Sequence, residues 1–176
     1  MTNPTPAVPP PIVEDGGDVY YNEVNDAVRN DVLKHAVVFT SDQITTAWTN
    51  SPLSHLQLIS TNKQYKALPT LIWKAILHLH LSLHEYQQDF YDCDSFSLSF
   101  AGQIVADFAI NGICRVLDVS GSHSYNAVLI CDDGKTCRWR RIEPQADKFV
   151  SDLPKTINVT APDGAYKATR GFAITA

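Results

Sequence analysis

The chain has 176 residues, of which 44% are hydrophobic and 19% are charged, and its formal net charge is −5. This composition is that of an ordinary globular protein, and the length is ample for one domain with a real core. The negative charge argues against non-specific nucleic-acid binding, which needs a basic surface. No signal peptide is visible, and no apolar run approaches the length of a membrane span, so we expect no membrane partner.

Residues 1–17 form a separate proline-rich segment. Five of the ten prolines lie in the first eleven residues, and Gly16-Gly17 ends the segment. Such a stretch cannot pack a core and prefers extended polyproline II geometry. We predict an extended arm that binds a protein partner, either other chains of a virus particle or copies of this chain. A disordered tail is the alternative. Residues 18–176 are predicted to form a single domain.

The first predicted elements alternate between helix and strand. Residues 18–34 fit a helix, with Val24, Val28 and Val32 on one face. A short strand follows over residues 35–40. Ser41 is then expected to cap a helix over residues 42–49, which ends before Ser51-Pro52.

Residues 68–86 fit two patterns. Apolar residues at helical spacing favour a helix that Pro69 helps to start, whereas residues 77–84 alternate as in a strand. The length and the leucine content favour the helix. His80 and His84 have the spacing of a metal pair, but no HExxH motif accompanies them, so a polar helix face is the simpler interpretation.

The pattern changes from helix to strand in the second half. From residue 95 to 109 apolar residues recur every four positions, which predicts a helix that begins directly after Asp92-Cys93-Asp94. Strands are predicted over residues 113–119, 125–131 and 137–142, with weaker ones over 156–160 and 171–175. A helical N-half followed by an antiparallel C-half predicts an α+β fold.

Three residues stand in the chain order of a nucleophile, its base and an orienting group. A thiol is most reactive at a helix N-terminus and beside an imidazolium, and Cys93 lies at such a helix start. His123 opens a predicted strand, and Glu143 ends the next one. Antiparallel pairing would bring these two side chains together, as nucleophilic catalysis requires. Taken singly, a cysteine is more often a small buried apolar residue.

Four short segments carry a resemblance to a known family. They contain Asp92, Cys93, Asp94 and Phe96; His123, Ser124, Tyr125 and Asn126; Glu143, Pro144 and Gln145; and, upstream, Tyr65, Leu68, Pro69 and Trp73. This set resembles the papain-like domain at the C-terminus of a Marasmius-type mushroom agglutinin and of related phage proteins labelled "lectin-like". The resemblance covers roughly residues 60–150. It implies a papain-like fold and a cysteine protease, a hydrolase that calcium activates.

The resemblance also implies a role for individual residues. Cys93 would be the nucleophile, His123 the base and Glu143 the orienting group. Gln87, six residues before the cysteine, has the spacing of a papain-like oxyanion-hole glutamine, and Gln88 is its chemical equal.

The two acidic neighbours of the cysteine match the metal-binding carboxylates of the family. Asp92 and Asp94 would then bind calcium, which prefers oxygen ligands. The alternative is that Asp92 caps the helix while Asp94 complements its dipole.

Two functions are therefore expected in parallel. One is a phage-type papain-like cysteine hydrolase that acts on a peptide or isopeptide bond through a thioester intermediate. The other is a virion structural or interaction protein with the same fold, anchored through its proline-rich arm. Either one places the chain in a virion or in the host cytoplasm.

Overall fold

The computed structural model describes residues 17–81, 93–119, 122–144, 148–149 and 170–176. The predicted arm lies outside these ranges except for Gly17, so the arm, its partner and the virion role remain predictions. The weak strand predicted over residues 156–160 and the proposed metal-pair residue His84 also lie outside them.

Four helices occur in the described part of the chain, and all four were predicted. They are α1 (Gly17–Lys34), α2 (Ser41–Thr49), α3 (Thr70–Leu81) and α4 (Cys93–Phe108). No helix within the described ranges is long and apolar enough to cross a membrane.

The cap of α2 differs from the prediction by one residue. Thr40, not Ser41, is the N-cap, because its hydroxyl accepts a hydrogen bond from the backbone N–H of Gln43 at 3.3 Å. The Gln43 side chain accepts the Thr40 N–H in return, at 2.8 Å. This reciprocal capping box satisfies two backbone donors that the helix itself leaves free.

The strands form one small sheet and one large one. They are β1 (Val37–Thr40), β2 (Gln57–Ile59), β3 (Gln64–Ala67), β4 (Ile113–Asp118), β5 (His123–Ile130), β6 (Arg138–Glu143), β7 (Lys148–Phe149) and β8 (Gly171–Thr175). Strands β1 and β3 pair antiparallel, and the other six form a sheet in the order β2-β8-β4-β5-β6-β7. Its pairs are antiparallel except β2 with β8.

The α+β class is confirmed, but the predicted division into a helical N-half and a strand-rich C-half is wrong. Strand β1 was predicted, but β2 and β3 also come from the N-half, and β2 pairs in parallel with the C-terminal strand β8. The sequence signal for β2 and β3 was missed because strands of three and four residues are too short to establish an alternating pattern.

Strand β5 lies between two apolar clusters, and each of its eight residues is buried. On one face, Tyr125 and Leu129 pack with residues of α2 and β3, among them Trp48 and Tyr65. On the other face, Val128 packs with residues of α3 and α4. This two-sided burial explains why the second half of β5, from Ala127 to Ile130, is a continuous apolar run rather than an alternating pattern.

Gly112 lies where the small sheet meets the large one. A Cβ atom at this position would lie 2.0 Å from the Lys66 carbonyl oxygen and 3.2 Å from Leu129 Cβ. The backbone there is tied down, because the Gly112 carbonyl accepts the Leu129 N–H at 2.7 Å.

We therefore expect Gly112→Ala to lower the free energy of unfolding by about 1–3 kcal/mol, as overpacking usually does. Gly102→Ala is the matched control. Gly102 lies inside α4, where an added Cβ atom would meet nothing within 4 Å, and alanine favours a helix there by roughly 0.8–1 kcal/mol. Urea unfolding of both variants checks the prediction, and equal stability of the two would contradict it.

Candidate functional site

The ends of three elements lie close together at one end of the strands of the large sheet. Helix α4 begins at Cys93, strand β5 begins at His123, and strand β6 ends at Glu143. Because β5 and β6 are antiparallel, with Asn126 opposite Ile142, the start of one strand lies beside the end of the other. Helix α4 packs across β4 and β5, which brings its first residue to the same end of these strands.

The imidazole of His123 and the carboxylate of Glu143 form a buried pair. His123 Nε2 lies 2.9 Å from Glu143 Oε2, and the Glu143 side chain is fully buried. A buried carboxylate needs both a hydrogen-bond donor and a positive charge nearby. His123 supplies both when it is protonated.

The thiol of Cys93 completes the arrangement. It lies close enough to the His123 ring to influence the pKa of the imidazole, and its residue is only partly buried. Since Nε2 faces Glu143, Nδ1 is the ring nitrogen left for the thiol. The structure thus brings together the three residues that the sequence singled out, in the order thiol, imidazole, carboxylate.

The ionisation of His123 reflects these neighbours. Burial lowers the pKa of the imidazole, but the hydrogen bonds and charges of Cys93 and Glu143 outweigh it and raise the pKa from 6.5 to about 9. At neutral pH the ring is therefore an imidazolium between two acidic partners. Reactive cysteines occur in electropositive surroundings of this kind.

Two features around His123 fix the ring further. Ser122 has a left-handed backbone with φ of 50°, a conformation that is uncommon for a residue other than glycine. It turns the chain into β5 immediately before the histidine. The Tyr125 ring, two residues along the same strand, lies 5.9 Å from the imidazole between ring centroids. The sequence analysis named Tyr125 only as part of the family resemblance and assigned it no role.

The calcium prediction is only partly covered by the structure. The Asp94 carboxylate lies 3.1 Å from Arg115 Nη2, so an arginine already neutralises it. Asp92 and Gln87, the predicted oxyanion-hole residue, lie outside the described residues. Where side chains are described, no three metal-ligating residues cluster. Calcium binding therefore stays a prediction.

The other three thiols have different surroundings. Cys114 is buried, and burial raises the pKa of its thiol. Burial also raises the pKa of Cys131, and it raises that of Cys137 to about 11 with help from the neighbouring Cys131. All four cysteines are free. Cys93 alone among them is described in contact with an imidazole.

Comparison with solved structures relates this fold to a fungal lectin. A complex of PSL1a with E64 matches with a TM-score of 0.56 and 17% identity, over 78% of this chain and 50% of that one. Polyporus squamosus lectin bound to the human-type influenza-binding epitope Neu5Acα2-6Galβ1-4GlcNAc matches with a TM-score of 0.50 and 17% identity, over 78% and 49%. The chain thus spans about half the length of these structures. No family model and no curated protein matches it.

The chain accordingly has a lectin-like α+β fold. The expected classification as a cysteine protease, and hence as a hydrolase, conflicts with this finding and is corrected, because the matching structures are described as a lectin and not as a protease. The error has a physical origin. A thiol, an imidazole and a carboxylate define a type of chemistry at a site, whereas a class of protein also depends on the rest of the molecule.

We expect the pKa of His123 to depend on Glu143. In Glu143→Gln the ring keeps a hydrogen-bond partner of the same shape but loses the charge, while burial continues to lower the pKa. An NMR titration of the His123 ring should give a pKa near 9 in the wild type and a clearly lower one in the variant. Asp118→Asn is the matched control, since Asp118 is a buried carboxylate opposite His123 on β4 but is not among the main causes of the shift. A pKa that falls in the control and not in Glu143→Gln would contradict this assignment.

The same pair should make stability depend on pH. The folded pKa of about 9 lies above the unfolded value of 6.5, so the folded state binds more protons between these values. The contribution to the free energy of unfolding is therefore fully present below pH 6.5 and is lost as the pH rises through about 9. Denaturant unfolding across this range should show a decline that is smaller in Glu143→Gln. An equal decline in both proteins would contradict the prediction.

Proposed function

We propose that Cys93, His123 and Glu143 form a papain-like nucleophilic thiol site that transfers an acyl group from a peptide or isopeptide bond through a thioester. The observation that carries the proposal is the thiol–imidazole–carboxylate arrangement. His123 Nε2 lies 2.9 Å from Glu143 Oε2, and Cys93, the first residue of α4, lies close enough to the same ring to influence its pKa. This geometry supplies a nucleophile, a base and an orienting group within reach of one another.

The chemistry assigns one task to each group. The Cys93 thiolate attacks the carbonyl carbon, and a sulfur–carbon bond forms. As the carbon–nitrogen bond breaks, the His123 imidazolium gives its Nδ1 proton to the departing amine. An acceptor amine then attacks the thioester, gives a proton to His123 and releases the Cys93 thiolate. Glu143 keeps the ring oriented and stabilises its positive charge throughout.

The surroundings of Cys93 carry positive charge. The first backbone N–H groups of a helix have no partner inside the helix, and its dipole favours a negative charge at that end. Cys93 is the first residue of the 16-residue helix α4. The imidazolium of His123 adds a full positive charge on the other side of the sulfur.

One comparison offers support of a different kind. PSL1a, which shares the fold, forms a complex with E64. The same compound can therefore be tried on the present chain as a probe of Cys93. The likeness at 17% identity concerns the fold, and the proposal for this chain stands on its own side chains.

Alkylation rates test the proposal. Under limiting iodoacetamide or E64, we expect Cys93 to react at least about tenfold faster than Cys137, because only Cys93 has an imidazolium beside it. Cys137 is the internal control, since it is also partly exposed. His123→Ala should slow Cys93 and leave Cys137 unchanged, as measured by peptide mapping with mass spectrometry.

A second readout examines the acyl step. Incubation with p-nitrophenyl acetate should give a burst of p-nitrophenolate and an acetyl group on Cys93, and Cys93→Ala should show neither. Equal alkylation rates of Cys93 and Cys137 would refute the proposed function. So would an alkylation rate of Cys93 that is unchanged in His123→Ala.

A further inference from the structure

Arg115 lies in the middle of β4 and reaches the helix that carries the thiol. Its side chain is 22% exposed, and Nη2 lies 3.1 Å from Asp94 Oδ1. Its Nε–H points at two hydroxyl oxygens, Ser97 Oγ and Ser124 Oγ, each at 3.2 Å. One guanidinium therefore contacts three acceptors on two different elements.

The three acceptors flank the two reacting residues. Asp94 directly follows Cys93 in α4, and Ser97 lies one helical turn further on. Ser124 directly follows His123 in β5. The guanidinium fork thus bridges the helix that begins with the thiol and the strand that begins with the imidazole. Such a planar, rigid fork of donors fixes geometry better than a single flexible ammonium would.

Further hydrogen bonds make this junction rigid. The hydroxyl oxygens of Ser97 and Ser124 are 2.6 Å apart. The Asn126 side chain donates to the Ser97 carbonyl at 2.9 Å, and the Ser124 hydroxyl donates to the Val116 carbonyl at 3.2 Å. Polar groups buried at a helix–strand contact need such partners. They also join α4 to β5 through Ser97, Ser124 and Asn126.

We propose that Arg115 is a positioning residue that holds Cys93 against His123 by tying the first turn of α4 to the start of β5. This inference rests on the proposed function of the site. It also gives Asp94 a defined task, since this carboxylate anchors the arginine. An ordinary salt bridge would add only a little stability at a partly exposed location, whereas a positioning residue must change how the thiol and the imidazole act together.

A double-mutant cycle separates these two roles. Arg115→Met keeps the aliphatic part of the side chain and removes all its donors, and the two serines retain each other as partners. We expect it to slow Cys93 alkylation roughly tenfold to a hundredfold, as small misplacements of reacting groups do. If Arg115 acts by placing Cys93 against His123, adding Arg115→Met to His123→Ala should cost little more than His123→Ala alone.

Arg138→Met is the matched control. Arg138 also forms an ion pair, with Asp132 Oδ2 at 2.7 Å, but at the turn that joins β5 to β6. Its loss should leave the Cys93 rate within about twofold of wild type, the scatter expected for independent sites. Circular dichroism confirms that each variant is folded, and Arg115→Lys takes the place of Arg115→Met if the latter is not.

A second measurement does not require the thiol to be reactive. Cys93→Ala should shift the NMR resonances of the His123 ring in the wild-type background, because Cys93 influences the pKa of that ring. In the Arg115→Met background the same substitution should shift them much less. If Cys93 shows no enhanced reactivity in the wild type, the proposed function fails, and this measurement alone decides the role of Arg115. Multiplicative rate losses in the cycle, or equal ring shifts in both backgrounds, would overturn the inference.

Discussion

The buried pair of His123 and Glu143 is the constraint on which the site depends. Glu143 is fully buried, and its carboxylate lies 2.9 Å from the imidazole. Removing one partner of such a pair leaves an uncompensated charge in the interior, which is costly. The pair therefore holds the ring in a single orientation, and this orientation turns its other nitrogen toward Cys93. The orientation of the proposed base toward Cys93 thus depends on an interaction that does not include Cys93.

The rest of the fold serves to bring two elements to this pair. Strand β5 is buried on both faces. Its position is fixed because it packs with α3 and α4 on one side and with α2 and β3 on the other. Helix α4 packs on the same strand, and Arg115 joins the two near their starts. The lectin-like architecture therefore provides a rigid frame, and the proposed thiol site lies where β5 begins and β6 ends. A shared fold and a separate site are compatible in this way.

Much of this could be predicted from the sequence, and the limits have physical reasons. The apolar repeat of Phe96, Phe100 and Ile104 gave helix α4, and the order of Cys93, His123 and Glu143 gave the three members of the site. Arg115 could not be found in this way, because a lone arginine in an apolar strand has no pattern until strand pairing shows what it faces. The parallel pairing of β2 with β8 joins residues more than a hundred positions apart, and local sequence carries no signal for it.

The most direct test of the account is a crystal structure of the reduced chain at neutral pH. The account predicts that Cys93 Sγ lies within about 4 Å of His123 Nδ1, the reach that a sulfur hydrogen bond requires, while Nε2 of the same ring faces Glu143. A ring that turns away from Glu143, or a Cys93 sulfur that points into the apolar core away from His123, would contradict the central claim.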